Sequence, residues 1–120
     1  MSRISLLIAG LVTILVLAAP STGMGEVTKL VGTTGPGFTI TLKKAGVKVR
    51  TLKPGKYAIT VNDKSTIHNF HLKGPGVNKV ITSLGFKGSK SVTVTLKKGT
   101  YTYQCDPHVA QGMKHTFRVT

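Results

Sequence analysis

Ser91-Val92-Thr93-Val94-Thr95-Leu96-Lys97-Lys98-Gly99-Thr100-Tyr101-Thr102-Tyr103-Gln104 reads as two alternating strands joined by a tight turn at Lys97-Lys98-Gly99. A period of two sends Tyr101, Tyr103 and the next odd residue, Cys105, to one face, and Thr100, Thr102 and Gln104 to the other. A third alternating stretch, Lys114–Val119, follows after a loop. Upstream the chain repeats the pattern in short pieces: Val27–Val31, Phe38–Leu42, Val47–Val49, Tyr57–Val61 and His68–Leu72. Turns fall at Gly32–Gly37, at Lys43–Gly46, at Leu52–Gly55 and at Gly74-Pro75-Gly76, with a looser connection through Val80-Ile81 to about Ser89. No helical period lasts more than a turn or two. Short strands so punctuated predict an all-β antiparallel sandwich or barrel, without internal repeats.

The inward row of the Tyr101 strand ends at the only cysteine of the chain and opens the run Cys105-Asp106-Pro107-His108-Val109-Ala110-Gln111-Gly112-Met113. A thiolate, an imidazole and a thioether thus fall within nine residues. His68-Asn69-Phe70-His71 adds two further imidazoles. Two imidazoles, a thiolate and a weak, distant thioether are the donor set of a blue-copper centre. On a regular strand His68 and His71 face opposite ways, so the pair supplies one ligand rather than two. A lone cysteine forms no internal disulfide, and outside the cell a free thiol invites oxidation. A buried structural cysteine is the plainer alternative; a metal-bound thiolate accounts for both the residue and its protection.

The spacing Cys-x2-His-x4-Met resembles the copper loop of plastocyanin-type cupredoxins, and His68-Asn69 resembles the pair that supplies their first ligand. The likeness covers roughly residues 26–120. It implies a Greek-key β-sandwich of the cupredoxin type holding one copper ion through His68, Cys105, His108 and Met113. The stretch Ser65 to Val77 resembles small exported bacterial cupredoxin-like proteins. The likeness also gives Asn69 the task of tying the His68 segment to the copper loop. Pro107 lacks an N–H, which removes one donor to the Cys105 sulfur. Gln104 stands where plastocyanins carry an aromatic residue, so an electron route through the edge of His108 is expected instead. Ile67 is bulkier than the usual neighbour of the first histidine. His71 is read as a packing or surface residue near the site, with a ligand in place of or beside His68 as the alternative, and His115 as an ordinary strand residue.

The leader and the charge bound the setting. Met1-Ser2-Arg3 is followed by Ile4–Ala19 without a charge, then by Pro20-Ser21-Thr22-Gly23-Met24-Gly25. This is the layout of a signal peptide over residues 1–25, or of an N-terminal anchor if it is not cleaved. Residues 26–120 form one copper-binding domain, secreted or periplasmic. Of the 17 basic residues only Arg3 lies in the leader, and with 3 acidic residues the domain carries +13. Such a charge attracts acidic protein partners, anionic wall polymers or lipid headgroups, or simply keeps a small exported domain soluble. The lysines are spread along the whole domain with no basic helix or aromatic platform, which argues against nucleic acid. The expected partner is a redox protein, acidic where it docks, and the domain is expected to be a monomer, open to membrane or cell-wall association.

Four histidines and one cysteine cannot build a multicopper oxidase, a copper nitrite reductase or a dinuclear copper centre, and no third group completes a cysteine-hydrolase site around Cys105. The chain is therefore read as a single-electron carrier rather than an enzyme. A copper storage, buffering or delivery protein on the same fold is the alternative. Zinc is chemically compatible with the same donors.

Overall fold

The computed structural model describes Gly10 and residues 26–120, so the leader expected over residues 1–25 lies, Gly10 apart, outside the described residues. Two five-stranded sheets face each other. The first contains β1 (Thr28–Thr34), β2 (Ile40–Lys44), β3 (Val47–Lys48), β5 (Gly55–Asp63) and β8 (Gly88–Leu96), in the order β3-β2-β1-β5-β8. The second contains β4 (Thr51–Leu52), β6 (Phe70–Gly74), β7 (Val77–Thr82), β9 (Gly99–Gln104) and β10 (Lys114–Val119), in the order β4-β10-β9-β6-β7. The expected all-β sandwich is thus present. Two of its pairings, β1 with β5 and β10 with β4, are parallel. Alternation reports which face a side chain takes but not the direction of the neighbouring strand, so these were invisible in the residues. Among the described residues no helix is long and apolar enough to cross a membrane.

Several boundaries shift for physical reasons. Gly32, expected to open a turn, lies inside β1: a Cβ there would come 2.8 Å from the Phe70 ring, so glycine lets the aromatic ring lie against the strand. The turn begins instead at Gly35, whose φ of 78° favours glycine. Phe38 therefore falls in the β1–β2 loop, exposed, rather than in a strand. The strand expected from His68 starts two residues later, leaving His68 and Asn69 in the crossing from β5 of one sheet to β6 of the other.

The core follows from the inward rows. Leu30, Ile59, Val61, Leu72, Tyr101, Tyr103 and Phe117 are buried, and among the described residues every buried apolar one lies between Leu30 and Val119. These residues form one hydrophobic cluster between the sheets, with Val77, Val92 and Val94 packed against it. Phe70 stacks on Tyr103 with centroids 5.6 Å apart, and Tyr101 on Phe117 at 5.3 Å. Burying side chains of this size contributes about 1.5–3 kcal/mol each. The Tyr101 hydroxyl accepts the Lys97 N–H at 2.9 Å and reaches the Lys97 and Pro75 carbonyls, closing the end of the sandwich far from Cys105. Gly74 lies against that ring with no room for a Cβ. Gly74→Ala is expected to cost about 1–3 kcal/mol by overpacking, seen as a lower denaturant midpoint with an unchanged slope; an unchanged midpoint would show that the ring moves freely.

Candidate metal centre

The loop after β9 is wound by its own backbone. Cys105 N–H donates to the Met113 carbonyl (3.0 Å) and Met113 N–H to the His108 carbonyl (3.2 Å), while His108 N–H returns to the Cys105 carbonyl (3.1 Å). Between them Asp106–Gln111 forms a short 3-10 turn, with Pro107 in its first turn, where a missing N–H is harmless. Gly112, at φ 91°, reverses the chain so that Met113 returns beside Cys105. Cys105 and Met113 are both fully buried.

His68 reaches the same place from the other sheet. Beyond β5, Asp63 accepts the Ser65 N–H at 3.1 Å, and His68 N–H bonds back to the Ser65 carbonyl at 3.2 Å. Lys64 N–H bonds to the Thr34 carbonyl at 2.9 Å, which binds this turn to the end of β1. The imidazole is wholly buried, and its Nε2 lies 3.2 Å from the Pro36 carbonyl. A carbonyl there requires Nε2 to carry the proton, which leaves the Nδ1 lone pair free. A Cβ on Gly35 would stand 2.6 Å from His68 Cδ2, so the loop can approach the ring only as glycine.

The donor atoms converge. His68 Nδ1 and His108 Nδ1 are 3.0 Å apart, and the Cys105 sulfur lies 3.7 Å and 3.3 Å from them. These three residues form the one group among the described residues with the means to hold a metal ion. A thiolate and two imidazoles without a neighbouring carboxylate donor suit a soft or borderline ion and not calcium or magnesium. Burial pushes the Cys105 thiol above its ordinary pKa; the N–H groups of Asn69 and His108 pull it partly back, and the charges of Asp106 and Asp63 add to the rise. Asn69 N–H is 3.5 Å from the sulfur.

His71, in β6, stands outside the donor cluster; His68 precedes that strand, so its turn and not strand parity places it. Its Nδ1 is 3.0 Å from the Asp106 carboxylate and its Nε2 meets the Asn78 side chain, so both nitrogens are engaged. Asn69 bridges the two segments as expected: its oxygen accepts the Asp106 N–H (2.7 Å) and its amide donates to the Asp106 carboxylate (2.9 Å). Gln104 donates to the same carboxylate at 2.7 Å. Burial alone would raise the Asp106 pKa, but the hydrogen bonds from Gln104, Asn69 and His71 outweigh it, and the group sits below the ordinary carboxylate range. It is therefore ionised at neutral pH. With its folded pKa depressed, Asp106 stabilises the fold above the ordinary carboxylate range, and that contribution is lost as pH falls through the lower folded value. Its negative charge one residue from the thiolate favours the more positive metal state. Asp106→Asn is expected to raise the reduction potential by on the order of tens of millivolts; an unchanged or lower potential by voltammetry would refute this role.

Other features were not legible beforehand. Phe38 meets both imidazoles edge-on, its centroid 5.0 Å from His108 and 6.0 Å from His68. The Pro36 carbonyl and Asn78 likewise come from segments that read only as turn and connection. His115 stays in β10 beside Tyr103, its pKa lowered by burial and by Lys48.

A paired-sheet sandwich with a Cys/His/His cluster at one end, buried but for the half-buried His108, defines a cupredoxin, and comparison with known proteins agrees. The model of the copper binding proteins of the plastocyanin/azurin family matches residues 44–120, and the chain belongs to that family. It is a blue-copper-type protein for one copper ion. Among solved structures it is similar to rusticyanin from Thiobacillus ferrooxidans, 26% identical with a TM-score of 0.57 over 80% of this chain and 79% of that one. Reduced rusticyanin is 25% identical, with a TM-score of 0.54 over 80% of this chain and 81% of that one.

Proposed function

We propose that the protein is a single-electron carrier whose copper is held by His68, Cys105, His108 and Met113. Bound copper supplies a Cu(II)/Cu(I) couple. The observation that carries the reading is the way the donors are fixed before any ligand is considered. The loop is closed on itself by backbone bonds, Asn69 fastens it to the His68 segment, and Pro36 holds the His68 ring. Donors so held resist rearrangement, and small rearrangement is what rapid electron exchange requires. Met113 reaches the site through the backbone of its own loop and supplies the soft thioether.

The route to a partner follows from burial. His68, Cys105 and Met113 are enclosed, whereas His108 is only half-buried. Exposed Phe38 packs against His108, and exposed Ile67 and Leu84 sit on turns joined by the Gly85 N–H to Thr66 carbonyl bond. An exposed apolar ring beside a half-buried imidazole suits brief contact with a redox protein. The exposed lysines on the metal side, Lys64, Lys87 and Lys114, favour a partner that is acidic where it docks. Export to an extracytoplasmic compartment and a monomeric state complete the reading, supported by the leader pattern and by the small, closed core.

The test is to add one equivalent of Cu(II) to the metal-free protein and record visible and EPR spectra, then self-exchange. An intense blue band, narrow parallel hyperfine splitting and fast exchange are expected. A colourless product would overturn the ligand assignment. A blue protein with sluggish exchange that hands Cu(I) to an apo-acceptor would instead be a copper store or delivery protein.

A further inference from the structure

The topology sorts the charges that the linear chain scatters. β1 and β5 both run toward the metal end, since Gly35 abuts His68 and Asp63 opens the turn that leads to it. β9 runs the same way into Cys105, and β10 returns from Met113. The opposite end therefore collects the start of β1, the end of β2, Thr51–Lys56, the Lys97–Gly99 turn and the end of β10. Lys44, Arg50, Lys53, Lys56, Lys98 and Arg118 are all there and all exposed. Lys44, Lys53 and Lys56 border one shallow hollow of about 500 Å³, which Glu26 also lines. Of the acidic residues only Glu26 belongs to this end; Asp63 and Asp106 sit at the metal end. The basic residues are thus concentrated away from the copper site.

These cations act too far off to guide a partner docking at His108. β1 alone spans seven residues, about 20 Å at roughly 3.3 Å per residue. That is more than two screening lengths of about 8 Å at physiological salt. They need a counterpart of their own.

We propose that this basic end is a docking face for an anionic lipid bilayer, which leaves the His108 edge facing away from the membrane. A bilayer is favoured over other anions by where the chain enters. Glu26 and Thr28 line the same hollow as the lysines, and the uncharged run Ile4–Ala19 ends a few residues upstream. A domain delivered with that run at its base meets headgroups with its cationic end first. The face is broad and set with flexible cations, which suits a diffuse layer of phosphate charge better than one compact ligand. The inference rests on charge placement and not on the copper assignment, so either can fail alone.

Residues 26–120, which hold every buried apolar residue among those described, are the species to test, in sedimentation with phosphatidylglycerol/phosphatidylcholine vesicles and with phosphatidylcholine vesicles alone. Binding to the anionic vesicles only, released between 0.05 and 0.5 M salt, is expected. The variant Lys53→Gln/Lys56→Gln/Lys98→Gln should bind about a hundredfold more weakly. A metal-end variant with the same charge loss, Lys64→Gln/Lys87→Gln/Lys114→Gln, should lose less than tenfold. Equal losses in the two variants would mean net charge acts without orientation and would overturn the proposal. So would absence of binding at low salt, or binding to poly(glycerol phosphate) but not to vesicles, which would assign the face to wall polymer.

Discussion

His68→Ala is expected to lower copper affinity at least a hundredfold and to abolish the blue band, while His71→Ala keeps the band at nearly full intensity. The two histidines stand three residues apart, so the pair isolates geometry from composition. His68 presents Nδ1 to Cys105 and His108 and has its other nitrogen held by Pro36. Removing it takes away a donor and opens a buried space in which water cannot reproduce an imidazole. His71 has both nitrogens engaged by Asp106 and Asn78 on the outer side of the second sheet. Losing it frees the Asp106 carboxylate, and Gln104 and Asn69 still hold that group. A shift of potential with little loss of affinity is therefore expected from His71→Ala, at the low end of the tenfold to hundredfold that supporting partners of metal ligands usually contribute. Equal loss of the band in both variants would overturn the ligand assignment. Direct titration with copper, followed by absorbance, distinguishes the outcomes.

The second large effect concerns pH. Burial raises the Cys105 thiol pKa above its ordinary value, so the metal-free protein carries the protonated thiol at neutral pH. A metal binds the thiolate, and the proton must leave. Apparent copper affinity is therefore expected to rise about tenfold per pH unit between roughly pH 7 and 8, with about one proton released per ion bound. The sign is fixed by the direction of the shift: a thiol already ionised at pH 7 would give a flat profile and no proton release. Calorimetry in two buffers of different ionisation enthalpy measures the proton count directly.

Much of this site was legible because its chemistry is local. Cys105, His108 and Met113 lie in one loop, and a period of two was enough to turn Cys105 inward; the separation of His68 from His71 came out as expected although His68 lies before the strand. The role of Asn69 was readable from the family likeness, and the hydrogen bonds bear it out. What was not legible depends on contacts between distant segments. Gly32 looks like a turn until Phe70, nearly forty residues away, is seen against it. Phe38 reads as a strand residue because Phe-Thr-Ile-Thr-Leu alternates. Gly35 and the Pro36 carbonyl instead commit the loop to His68, and that leaves Phe38 over the two imidazoles. The parallel pairings of β1 with β5 and of β10 with β4 escaped for the same reason. So did the gathering of lysines at one end, since a strand's direction decides which end each residue reaches.

Cys105 has no partner cysteine and no exposed surface. Two copies of the protein cannot bring their sulfurs together without unfolding the loop. The raised thiol pKa also keeps the reactive thiolate scarce. In oxidising surroundings, then, the empty protein ages slowly: it neither dimerises through sulfur nor climbs readily to sulfenic acid. Its useful lifetime before metal arrives is set by how often the Cys105–Met113 loop opens, and strengthening the Asn69 bridge should lengthen it.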